Sequence, residues 1–190
     1  MTVATSSYLD ERSAAYVDAV VAATDAHAPV VEAFLVGSAA AGGFDPATSD
    51  LDLVVVVEEP PVDRAALVAA VAGLERPVRN LELVVYVEGA QPPDVELNVS
   101  DGEERPDEPR FWFLIDAALA QERAVPVAHG CAWGDLFEPI TPERLREAMQ
   151  ESLEWSQAQP AGDEFARVNA VRARRYLEHG EWITKKEATP

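Results

Sequence analysis

Through the first hundred residues, short apolar runs alternate with amphipathic stretches; beyond them only helical spacing remains. Tyr16, Val17, Val20 and Val21 fall on one helical face, so a helix is predicted to begin at Ser7 or Asp10 and run through Ala26. Val30 to Val36 reads as a first strand and Leu51 to Val57 as a second, its four consecutive valines asking for burial on both faces. Pro60-Pro61 breaks the chain, and Asp63 caps a helix that stops at Gly73. Leu81 to Val87 is a third strand and Val95 to Val99 a fourth.

Ser100 to Arg110 is acidic, Pro-containing and unpatterned, and is read as the connection between two domains, 1–105 and 106–190. Strand signals vanish after it. Phe111 to Arg123 is helical, with Trp112, Ile115 and Leu119 near one stripe. Thr141-Pro142 opens a helix to about Ser156, and Asp163 to His179 forms another, stopped at Gly180. The tail after Glu187 is expected to fray. The expected class is α+β: a mixed sheet with helices, followed by a small α-helical domain.

Composition narrows the function. A formal charge of −19 opposes binding to a nucleic-acid backbone, which wants Lys and Arg. It is compatible with a cationic partner but does not select one, since only two lysines stand against thirteen arginines, a bias of composition. The single Cys131 permits no internal disulfide and is read as structural or incidental. No signal sequence or membrane span is recognised, and a cytoplasmic, membrane-free protein is expected; a monomer is expected as well.

The candidate chemistry lies between the first two strands. An apolar run ends in Gly37-Ser38, a small-residue loop follows, and the second strand opens with Asp50-Leu-Asp52. Strand alternation puts Asp50 and Asp52 on one face, roughly 7 Å apart along the chain. Two carboxylates at ~4 Å repel by about 4 kcal/mol at an effective dielectric of about 20, and divalent cations relieve that repulsion. Mg2+ takes one or two carboxylates plus phosphate oxygens. Gly37 allows close backbone approach to a phosphate, and Ser38 can donate its hydroxyl and open a short helix. Glu82, near the start of the third strand, is a third carboxylate that could bind metal or act as a general base.

The Gly-Ser…Asp-x-Asp pattern resembles the nucleotidyltransferase superfamily, which includes DNA polymerase beta and the antibiotic adenylyltransferases. Leu35 to Leu53 looks like the signature of the aminoglycoside 3''/9 adenylyltransferases, which modify streptomycin and spectinomycin, and Arg79-Asn-Leu-Glu-Leu-Val-Val85 like their third-carboxylate strand. The likeness continues in Asp135 to Pro142, Asn169 to Arg172 and Gly180 to Lys185. It implies transfer of AMP from ATP to a hydroxyl of a cationic small molecule. It also implies Mg2+, two ions, on Asp50, Asp52 and Glu82, with Glu82 as base. Gly37, Ser38, Arg172 and Lys185 would contact ATP, and Asp163 would face the acceptor. Each of Trp112, Trp133, Trp155 and Trp182 is expected to pack internally, with Trp155 the strongest candidate for contact with the acceptor. The residues leave other readings open: another acceptor, including a protein hydroxyl; a nucleotide-binding regulator without turnover; or a partner-binding module.

Overall fold

The computed structural model describes residues 8–189, apart from the side chain of Lys186; Ser7 lies outside the described residues. The chain divides into two units. One runs to Glu108 and takes back Leu119–Pro139; the other is Pro109–Ala118 with the residues from Ile140 onward. Where the sequence reading placed one crossing near residue 105, the chain passes between units three times.

The first unit is built on a six-stranded mixed sheet. Its strands are β1 (Val30–Leu35), β2 (Asp50–Val57), β3 (Asn80–Val87), β4 (Leu97–Ser100), β5 (Glu103–Glu104) and β6 (Val125–Pro126), ordered β5-β4-β3-β2-β1-β6. Only β2 and β3 run parallel. A parallel pair needs a crossover, supplied here by helix α3 (Arg64–Ala72), which Asp63 caps by accepting from the Ala66 amide at 2.9 Å. Helix α1 (Glu11–Asp25) is capped by Asp10, whose Oδ1 accepts from the amides of Arg12 and Ser13. Tyr16, Val17 and Val20 are buried as the spacing requires, while Val21 is only partly covered.

Alternation gives the sheet two unlike faces. Leu51, Leu53, Val55, Leu81, Leu83 and Val85 join α1 and α3 in the core cluster. The other face carries Phe34, Val54, Val56 and Tyr86. Helix α5 (Trp133–Leu136) and the residue after it pack there: Trp133 meets Phe34 edge-on at 5.2 Å, and Phe137 meets Tyr86 at 5.2 Å. All four valines of β2 are buried, as their run demanded.

The sequence reading lost strands once past the fourth, and the structure corrects this. β5 lies inside the stretch read as a loop, and β6 follows helix α4 (Arg110–Arg123) to pair with β1. Pro126 sits on this edge strand, where its missing N–H costs no ladder bond.

β6 leads into a loop held by a buried charge. Glu32 on β1 is fully buried, and its carboxylate accepts from the backbone N–H groups of Ala33, Ala128, His129 and Cys131 at 2.7–3.1 Å. Burial raises its pKa, but these donors outweigh burial and the net displacement is downward.

The second unit is helical. Helix α6 (Pro142–Ala158) has Thr141 as its N-cap and Pro142 in its first turn; α7 (Glu164–His179) is capped by Asp163 and ends on left-handed Gly180 at φ 70°. Helix α8 (Lys185–Ala188) is short, and the tail expected to fray instead buries Ala188. Among the described residues no helix is long and apolar enough to cross a membrane.

Because the folded pKa of Glu32 is lowered, its contribution is present above the unfolded value of about 4.5 and is lost as pH falls through the folded value. Glu32→Gln should therefore flatten the loss of stability between neutral and acid pH. Glu32→Ala should cost about 3 kcal/mol at pH 7 by orphaning one buried and three part-buried donors. Urea denaturation at a series of pH values checks both; parallel curves for the parent and Glu32→Gln would refute the assignment.

Candidate active site

The parallel register of β2 and β3 assembles the site. Asp50 stands opposite Asn80, and Asp52 opposite Glu82. Residues opposite one another share a sheet face, so all four belong to the face opposite the α1–α3 core, at the strand starts, where they remain partly exposed.

Helix α2 (Gly37–Ala40) closes the turn after β1. The Val36 amide donates to the Asp52 carbonyl at 3.1 Å, binding this turn to β2. Gly37 has φ +58°, and a Cβ there would lie 1.9 Å from Asp52 Oδ2. Glycine is thus required twice, for its backbone conformation and for the volume the carboxylate fills. Ser38 is half-buried in the same turn. Between this turn and β2 the loop is ordered by Asp45, which accepts from the Ala47 amide at 2.9 Å, and by the Arg79 amide, which donates to Pro46 O at 2.8 Å.

Each carboxylate has its own surroundings. Arg79 reaches both oxygens of Asp50, with Nη2 at 2.8 and 2.9 Å and Nε at 3.1 Å from Oδ1. Glu82 Oε1 accepts from Asn80 Nδ2 and from Ser100 Oγ, each at 2.7 Å. Asp52 and Glu82 are immediate neighbours across the parallel ladder. Among the described residues no group of three or more His, Cys, Asp or Glu is placed to hold a metal ion, so Asp50, Asp52 and Glu82 do not form a three-carboxylate site. Two in-register carboxylates do suit Mg2+ or Mn2+, which takes most of its remaining oxygens from phosphate and water. Asp52 of that pair lies against Gly37 with no side chain between them.

Thus Gly37, Asp52 and Glu82 come together in the sheet unit, with Ser38 and Asp50 on the same turn and strand. Arg172, Lys185, Trp155 and Asp163 belong to the helical unit. The Arg172 guanidinium donates to Ile183 O at 3.1 Å and Asn169 Oδ1 at 3.2 Å. Burial lowers its pKa, countered by the charge of Asp116. Lys185 is exposed at the start of α8. Asp163 Oδ1 caps α7 through the Ala166 amide at 2.9 Å. Trp155 joins Phe111, Trp112 and Phe165 in an aromatic cluster in which Phe165 is 51% exposed. Trp133 packs internally in the sheet unit, and Trp182 lies against Tyr176. Sequence reasoning gave no role to Arg79, Asn80 or Ser100. Alternation could have put Asn80 beside Glu82; Ser100 needed the register of β4.

Fold and site together define a nucleotidyl-transfer domain. The family model for the nucleotidyltransferase domain matches residues 18–112, half of the chain, and the chain belongs to that family. Among solved structures it is similar to spectinomycin adenyltransferase AAD(9) from Enterococcus faecialis, crystallised with ATP and spectinomycin. The TM-score is 0.74 at 20% identity, covering 92% of this chain and 78% of that one. That likeness extends the shared fold through the helical unit. No curated protein matches the sequence.

Gly37→Ala should displace the Asp52 carboxylate and destabilise the protein by about 1–2 kcal/mol through left-handed strain alone. Urea unfolding measures the cost, and an unchanged midpoint would contradict the close approach.

Proposed function

We propose that the protein transfers AMP from ATP to a hydroxyl of a small cationic acceptor, releasing pyrophosphate, with an aminoglycoside or aminocyclitol of the streptomycin or spectinomycin type as the leading candidate. The observation that carries this reading is the in-register Asp52–Glu82 pair beside the glycine turn. A divalent cation held at Asp52 would neutralise the phosphates and draw charge from the leaving pyrophosphate.

The chain's own residues supply the rest. Asp52, with Asp50, would hold Mg2+; for Asp50 this means exchanging the Arg79 guanidinium for metal. Gly37 and Ser38 would contact phosphate oxygens. Glu82 would take the proton of the acceptor hydroxyl as that oxygen bonds to the α-phosphorus and the bond to the β-phosphate oxygen breaks. Arg172 and Lys185 are proposed nucleotide contacts, and Trp155 and Asp163 acceptor contacts. The exposed Phe165 beside Trp155 could stack on a cationic acceptor, and the formal charge of −19 is compatible with one. AAD(9) crystallised with ATP and spectinomycin on the same fold adds to this reading.

Purified protein with labelled ATP, Mg2+ and a panel of acceptors tests it. AMP should appear on spectinomycin or streptomycin with stoichiometric pyrophosphate. Asp52→Asn and Glu82→Gln should each lower kcat by about 100-fold or more. Label found only on protein hydroxyls would replace the antibiotic with a protein acceptor, and full activity in Asp52→Asn would end the metal assignment.

A further inference from the structure

Glu82 is reached from two sides. Ser100 is its direct partner across the antiparallel β3–β4 ladder, on the side away from Asp52. Asn80 lies two residues earlier on β3, on the same face. Both donors converge on one atom, Oε1, at 2.7 Å each. Asn80 is itself oriented: Arg76 Nη1 donates to its Oδ1 at 3.3 Å, which turns the Nδ2 group toward Glu82. Arg76 is in turn paired with Asp101 at 3.0 Å. The amide cannot flip without setting its NH2 group against a guanidinium.

We infer that Asn80 and Ser100 are positioning residues that clamp Glu82 through Oε1 and so fix the orientation in which its carboxylate takes the proton of the acceptor hydroxyl. Without the clamp, two like charges on adjacent strands push Glu82 away from Asp52, and a flexible side chain samples several rotamers. With it, two charge-assisted donors hold one orientation. The inference rests on the proposed role of Glu82 as base. The chemistry is unchanged: the hydroxyl oxygen bonds to the α-phosphorus, the bond to the β-phosphate oxygen breaks, and the proton passes to Glu82.

The test uses the full chain carrying Asn80→Ala, Ser100→Ala, both together, and Ser100→Thr. MgATP affinity by calorimetry and KM for ATP should stay within about twofold of the parent. The kcat for AMP transfer should fall about tenfold in each single alanine variant and further in the double, as loss of orientation does. Ser100→Thr, which keeps the hydroxyl, should recover kcat to within about threefold. Independently of turnover, crystal structures should show Glu82 in one conformer in the parent and in several in the double variant. An unmoved Glu82, or an unchanged kcat in the double variant, would overturn the clamp. A parent that binds MgATP yet transfers to no acceptor would instead remove the acceptor reading, and the conformer comparison would still decide the clamp.

Discussion

Everything in the sheet unit follows from the parallel pairing of β2 with β3 in one register. That register sets Asp52 beside Glu82, and a one-residue slip would send one of them into the α1–α3 core. The slip is opposed by the apolar set behind the acids: Leu51, Leu53 and Val55 face the helices with Leu81, Leu83 and Val85, and all six are buried. Burying such side chains contributes roughly 1.5–3 kcal/mol each, so misregister would cost far more than the repulsion it relieved. The core therefore maintains a like-charge pair that would not assemble unaided.

The crossover explains why the pair is open to ligands. β2 and β3 both start at the same end of the sheet, and α3 returns over the far face. On the near face Trp133 and Phe137 cover Phe34 and Tyr86, further along the strands than the acids. What approaches Asp52 is Gly37, a residue with no side chain to interpose.

Legibility in the sequence tracked how local the physics is. Caps were readable because each is a side chain bonding a backbone amide two or three residues away: Asp10, Asp63, Thr141 and Asp163 all do so. The three long strands were readable from their apolar runs, and Asp50, Asp52 and Glu82 from alternation. The two-residue strands β5 and β6 were not, since neither has enough residues for a period. Nor were the partners that individualise the carboxylates. The Arg79–Asp50 and Ser100–Glu82 contacts link positions 29 and 18 residues apart, and only the register of the folded sheet makes them neighbours.

The Glu32 anchor has a consequence for how this protein can vary. Its partners at Ala128, His129 and Cys131 are main-chain amides, supplied equally well by almost any amino acid. The path of that segment is held while its lettering is left at liberty to drift, proline excepted. A lineage could thus rewrite these positions freely, provided one acid on the neighbouring strand endures.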